Sequence, residues 1–172
     1  MQMYTMDLPS RPDVLAAIGE VAVRHGQLDL VLRRLVHTLT SMDIQETDAA
    51  TEGMGSAELR DHVKVVARKA IGKGEPYLKL CALLTRAKVA TQHRNALLHG
   101  VWGAGLDDGE TVVRRADGAF GPPPSVADLK ALADELAHIT FDINTARRSG
   151  FIFVEQAARA AAQEGGPRND AG

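Results

Sequence analysis

The chain has 172 residues, of which 45% are apolar, and a formal net charge of −2, which suits one globular domain with a buried core. Its single cysteine, Cys81, excludes an intramolecular disulfide and a cysteine-based metal cage. No apolar run approaches the roughly 20 residues that a membrane-spanning helix needs. The first ten residues lack a basic region followed by an apolar core, so we expect no signal peptide and a cytoplasmic protein.

The composition favours helices over strands. Aromatic residues make up only 4% of the chain, whereas alanine and leucine are common. Strands are built mainly from β-branched and aromatic side chains, so this bias indicates helices packed through aliphatic side chains. We therefore predict an all-α fold, an up-and-down bundle of four to five helices, in a single domain over residues 1–164. Residues 165–172 are predicted to be a disordered tail.

The first predicted helix covers residues 11–40. Ser10 is placed to cap it, and Pro12 suits its first turn. Gly19 and Gly26 weaken its first half, where we expect a kink or a break. Its apolar side chains repeat at helical spacing, namely Leu28, Val31, Leu32, Leu35, Val36 and Leu39.

Two further helices follow a connector. Residues 41–55 are polar and contain two glycines, so they are expected to link helices without forming one. The second helix covers residues 56–71, and glycines just beyond it favour its end. The third begins at Pro76 and runs to about His99, with Gly100 suited to the position after the cap.

The pattern changes after the third helix. Residues 101–124 are rich in glycine and proline, and Asp108-Gly109 predicts a small hairpin or ordered loop before the last helix. Ser125 and Asp128 form a capping-box pattern that starts that helix. Gly150 is expected to bend it before a final segment over residues 151–162.

Basic residues are concentrated in the middle of the chain. Between Arg60 and Arg94 lie nine basic residues and two acidic ones. Such a segment can attract phosphate groups although the whole chain is slightly acidic, or it can be a solvated helix face. The RNA-binding candidates within it are Arg86, Lys88 and His93.

Arg94 has an unusual place in the third helix. At about 100° per residue, five apolar residues lie within about 40° of it. They are Leu83, Ala87, Ala90, Leu98 and Val101. Burying an unpaired guanidinium is costly, so Arg94 must meet a carboxylate, line a cleft or bind an anion. Asn95 and His99 are four residues apart and can hydrogen-bond on another face, with His99 at the helix end.

The run Arg-Asn-Ala-Leu-Leu-His over residues 94–99, near the end of a helix and followed by Gly-Val-Trp, resembles the signature of the HEPN superfamily. That signature is an arginine, a following polar residue and a histidine after a short spacer. The resemblance extends loosely to residues 24–32 in the first helix and 125–160 in the last. One departure is His93, which stands where many members have an apolar residue.

The resemblance implies an α-helical homodimer in which two motifs face one cleft. It also implies a metal-independent endoribonuclease of toxin or phage-defence type, in which attack by the ribose 2′-hydroxyl gives a 2′,3′-cyclic phosphate. In that mechanism Arg94 stabilises the scissile phosphate, Asn95 positions the motif and His99 transfers a proton.

Two other functions fit the same residues. One is a non-catalytic dimeric scaffold of HEPN type, in which Arg94 pairs with an acid and His99 caps the helix. The other is a nucleotide-binding partner of a nucleotidyltransferase. We expect RNA as ligand and a second copy of the chain as partner, with an antitoxin or nucleotidyltransferase as further candidates. No cofactor is expected, and the six histidines lack the spacings of a zinc site, so no metal is expected either.

Overall fold

A computed structural model describes residues 4–6, 11–105, 111–114 and 120–164, and within these ranges the chain is predominantly helical. The helices are α1 Pro12–Thr40, α2 Ile44–Thr51, α3 Ser56–Ile71, α4 Glu75–Leu98, α5 Val126–Arg148 and α6 Phe151–Glu164. The strands are β1 Tyr4–Met6, β2 Val101–Gly105, β3 Thr111–Arg114 and β4 Phe120–Gly121. The predicted all-α class is confirmed, and none of these helices is long and apolar enough to cross a bilayer.

The four strands form one small antiparallel sheet in the order β1-β2-β3-β4. The predicted hairpin is present as β2 and β3, which pair from Val101 opposite Arg114 to Ala104 opposite Thr111. The Asp108-Gly109 turn lies outside the described residues. Strand β1 pairs with β2 although helices α1 to α4 all lie between them in the sequence, and no local pattern predicts such a pairing.

The chain divides into two compact units. Unit 1 takes its described residues from 1–28 and 87–138, and unit 2 takes them from 29–86 and 139–172. Helices α1, α4 and α5 each contribute residues to both units. The single domain over 1–164 stays a prediction, and the tail over 165–172 lies outside the described residues.

The core of unit 1 is aliphatic and built from three helices. Its buried apolar side chains are Val14, Ala17, Val21 and Leu28 on α1, Ala87, Ala90 and Leu97 on α4, and Leu129, Ala133 and Leu136 on α5. These positions recur every three or four residues, so each helix turns one stripe inward. Burying such side chains is the main favourable term in the folding of this unit.

Unit 2 has a larger core of the same kind. Its fully buried large side chains are Leu32, Leu35, Leu59, Ile71, Leu80, Leu84, Ile139, Ile143 and Ile152. Helix α3 contacts α6. At the end of α3, Gly72 has φ 71°, a backbone conformation that favours glycine. The Arg159 guanidinium of α6 lies over Gly72, so a side chain there would displace it.

Most helix limits agree with the sequence, and three local predictions need comment. Helix α1 continues through Gly19 and Gly26, so it has no break there, and a kink stays a prediction. The connector contains α2, which Asp43 and Glu46 start with a reciprocal capping box. The capping box that opens α5 is confirmed, because Ser125 and Asp128 hydrogen-bond through both backbone N–H groups.

Candidate functional site

The last three turns of α4, all within unit 1, carry the Arg94 motif. On this segment Ala87, Ala90, Thr91 and Leu97 are buried, and Arg94 is half-buried. Arg94 follows Thr91 by three residues and Ala87 by seven, so it continues the inward-facing stripe. The sequence-based expectation that Arg94 lies on an apolar face agrees with this burial.

Arg94 has an amide as its polar partner. Its Nη1 donates to the Asn95 Oδ1 over 2.9 Å. Its Nε is buried and has no hydrogen-bond partner among the described residues. A buried donor without a partner costs about 1–3 kcal/mol, and more when it carries charge. In the described part of the chain, Arg94 forms no ion pair with a carboxylate.

Asn95 and His99 are arranged differently from the expectation. The side-chain oxygen of Asn95 accepts from Arg94 and not from His99. His99 follows the last residue of α4, and its backbone N–H donates to the Asn95 carbonyl over 2.9 Å, which extends the helical pattern by one residue. The imidazole is exposed. Asn95 thus orients the guanidinium, and His99 presents its ring to solvent at the end of the same helix.

Trp102 anchors the chain where it leaves this helix. Its indole Nε1 donates to the Leu97 carbonyl over 3.1 Å. Carbonyls in the last turn of a helix lack helical partners, so this hydrogen bond satisfies one of them. It also ties β2 to α4 on either side of His99. The half-buried Trp102 therefore acts as an anchor.

Two buried polar residues near the motif were missed by the sequence analysis. His25 on α1 and Thr91 on α4 are both 5% exposed, and His25 Nε2 lies 3.3 Å from Thr91 Oγ1. Thr91 Oγ1 also donates to the Ala87 carbonyl over 2.7 Å. Its single proton is used there, so its oxygen accepts from His25 Nε2–H. The signal was the spacing of His25, which lies four residues after Val21 and three before Leu28 on the inward stripe.

The predicted RNA-binding residues differ in their surroundings. Lys88 and His93 are exposed on the same α4 segment as the motif. Arg86 belongs to unit 2, where its Nη1 forms an ion pair with Asp142 at 2.9 Å. Arg60 is buried and therefore does not belong to a solvated basic face. The basic segment seen in the sequence is thus not one uniform surface.

No group of three His, Cys, Asp or Glu side chains suited to a metal ion occurs in the described ranges. Comparisons of the chain with protein-family models, with curated proteins and with solved structures found no match.

Proposed function

We propose that the protein is a metal-independent endoribonuclease of the HEPN type, acting as a toxin or in phage defence. The observation that carries this proposal is the environment of the Arg94 guanidinium. Its guanidinium is half-buried, is oriented by the Asn95 amide, keeps a buried Nε without a partner, and lies on the same helix end as the exposed His99. A cation that lacks a carboxylate is suited to an anionic ligand, and a phosphodiester is such a ligand.

The chemistry assigns one task to each residue. His99 takes the proton from the ribose 2′-hydroxyl, whose oxygen attacks the adjacent phosphorus. Arg94 donates to the equatorial oxygens and stabilises the charge that develops on them. The bond from phosphorus to the 5′-oxygen breaks, and that oxygen takes up a proton from solvent. The products are a 2′,3′-cyclic phosphate and a 5′-hydroxyl, and Asn95 contributes by holding the guanidinium in place.

The direct test is incubation of the purified chain with total RNA in the presence of EDTA. We expect cleavage at an unchanged rate, with products that end in 2′,3′-cyclic phosphate. His99→Ala should lose about 10²–10⁴-fold in rate, which is the usual value of general acid–base catalysis. His138→Ala is the matched control, because His138 is an exposed histidine on α5 in the same unit.

Three results would contradict the proposal. Cleavage that stops in EDTA would require another mechanism. Full activity of His99→Ala would remove the proton-transfer role. A wild-type protein that never cleaves, with an Arg94→Ala variant that is mainly less stable, would favour the non-catalytic scaffold. A nucleotidyltransferase that retains the chain on a column would favour the nucleotide-binding partner.

A homodimer is part of the proposal, and α1 offers a surface for it. Leu15 and Val23 are exposed there, the latter to 61%, and share a face with Gly19 and Gly26. Each glycine inside a helix costs about 1 kcal/mol relative to alanine. A side chain at either glycine would meet open space within the chain. Close packing of a second copy on this face would account for glycine at both positions, whereas contacts within the described chain do not.

Light scattering tests the dimer. We expect a mass of twice 18.4 kDa. Val23→Arg should shift the protein to the monomer, because two like charges would meet across a two-fold interface. Val65→Arg is the control, since Val65 is an exposed valine on α3. A monomeric wild type, or equal behaviour of the two variants, would contradict the interface.

A further inference from the structure

Unit 2 contains a cluster of three arginines, which we name the arginine cluster: Arg34 on α1, and Arg147 and Arg148 at the end of α5. Arg147 Nε donates to Asn144 Oδ1 over 3.0 Å, which orients its guanidinium. Burial lowers the pKa of Arg147, and the charges of Arg148 and Arg34 lower it further. Arg147 therefore has both of the other guanidiniums within electrostatic range.

The arginine cluster lacks acidic partners in the described part of the chain. None of its members forms an ion pair there. Other arginines of unit 2 are engaged differently: Arg86 pairs with Asp142, and Arg33 donates to the Thr51 and Met54 carbonyls. Like charges held together without counter-charges repel each other. A bound polyanion would remove that repulsion.

An exposed aromatic ring accompanies the cluster on α5. Phe141 is 68% exposed, the most of any large hydrophobic side chain that the structure describes. It lies three residues before Asn144 and seven before Arg148, so these residues share one face of the helix. Proteins that bind single-stranded nucleic acids combine exposed aromatic rings with cationic side chains, because every base can stack on a ring.

We propose that the arginine cluster and Phe141 form a binding surface for single-stranded RNA. The guanidiniums hold successive backbone phosphates, and the Phe141 ring stacks on one base. The identity of the ligand as RNA rests on the proposed function, but binding at this surface does not require Arg94 or His99. This surface would bind unpaired segments of an RNA in preference to duplex.

The test is the fluorescence anisotropy of a labelled single-stranded RNA bound to the full-length chain. The RNA carries 2′-O-methyl groups, so it cannot be cleaved by 2′-hydroxyl attack. A variant with Arg34, Arg147 and Arg148 changed to Gln should bind at least about tenfold more weakly at 0.1 M salt. The plot of the logarithm of its affinity against the logarithm of salt concentration should be less steep by about 2. This is the change expected for three lost phosphate contacts on a single strand.

A matched control has the same change in charge. The variant with Arg68, Lys69 and Lys73 changed to Gln loses three exposed cations of unit 2 from α3 and its end. We expect its affinity to change by less than about threefold. Equal losses in the two triple variants would mean nonspecific attraction to net charge and would overturn the proposal. Wild-type affinity in the arginine-cluster variant would overturn it as well.

The stacking contact has its own test. Phe141→Ala should weaken binding of the single strand by about fivefold or more, in line with base–aromatic stacking. Phe141→Leu keeps an apolar side chain but removes the ring, so it should lose a similar amount. An RNA duplex of the same length should be insensitive to both changes. Equal sensitivity of duplex and single strand would contradict the stacking role.

The two proposals fail in distinguishable ways. If the wild type binds the methylated RNA through the arginine cluster but never cleaves unmodified RNA, the nuclease fails and the binding surface stands. If the wild type cleaves, while the arginine-cluster and control variants bind alike, the binding surface fails and the nuclease stands. Circular dichroism of each variant confirms that the comparison is made on folded protein.

Discussion

Two regions of the molecule place an arginine on an apolar helix face and treat it differently. Arg60 on α3 is 6% exposed and has the carboxylates of Asp29 and Asp61 in range. Arg94 on α4 is half-buried, and its guanidinium hydrogen-bonds to the side-chain amide of Asn95. The first arginine lies near two opposite charges. The second keeps a buried donor that the described residues leave unsatisfied.

The physical consequences of the two arrangements differ. Burial lowers the pKa of Arg60, and the charges of Asp29 and Asp61 act in the opposite direction. A cation placed in this way contributes to the fold, and its removal leaves the half-buried Asp29 without that opposite charge. A cation held by a neutral amide keeps most of its electrostatic attraction for an incoming anion. The groups around the guanidinium, and not burial alone, distinguish these two arginines.

The largest effect is expected when Arg60 is removed. Arg60→Ala should lower the free energy of unfolding by about 3–5 kcal/mol, because it leaves the Asp29 carboxylate without its opposite charge. Urea denaturation measures the change. Arg68→Ala on the same helix is exposed and should change stability by less than about 0.5 kcal/mol. Equal effects of the two substitutions would contradict the structural role of Arg60.

The next effect concerns the geometry of the second arginine. Arg94→Lys keeps the charge but cannot contact Asn95 and a phosphate with one planar fork. We expect the RNA cleavage rate to fall about 100-fold, which corresponds to about 2.7 kcal/mol of transition-state stabilisation. Arg24→Lys is the control, because Arg24 is a partly exposed arginine of α1 with Glu20 as partner. An Arg94→Lys variant that cleaves RNA as fast as the wild type would show that charge alone suffices.

A smaller effect is expected at the polar pair that precedes Arg94. Thr91→Val removes the hydroxyl that contacts His25 and should cost about 1–2 kcal/mol of stability, because a buried donor loses its acceptor. Thr91→Ser should restore most of it. Thr85→Val is the control, since Thr85 also donates to a carbonyl four residues earlier but is exposed. If the Thr91→Val and Thr85→Val proteins are equally stable, the contact between His25 and Thr91 does not stabilise the fold.

Local signals in the sequence predicted much of the fold. The apolar spacing located α1, α3, α4 and α5, and the Ser125–Asp128 box located the start of α5. Helix α2 was missed although Asp43 and Glu46 carry the same kind of signal. Its apolar content is low, so periodicity gave no indication of it. Strand β1 was missed because its partner β2 lies about a hundred residues further along the chain.

The candidate site could be predicted only in part for a similar reason. The position of Arg94 on the inward stripe follows from helical spacing alone. The contact between His25 and Thr91 joins residues 66 apart in sequence, and the proximity of Arg60 to Asp29 joins two different helices. Such contacts depend on how helices meet, which spacing within one helix does not specify. Arg60 was therefore counted with the basic segment although it is buried.

The most direct measurement is the RNA cleavage rate of Arg94→Ala in EDTA, made together with its urea denaturation curve. If Arg94 is held for a phosphate and not for the fold, the rate should fall by at least about 100-fold, a loss of about 2.7 kcal/mol. The free energy of unfolding should change by less than about 1 kcal/mol, because the substitution removes an unsatisfied donor. A variant that cleaves at the wild-type rate but loses about 3 kcal/mol of stability would place Arg94 with Arg60 as a structural residue.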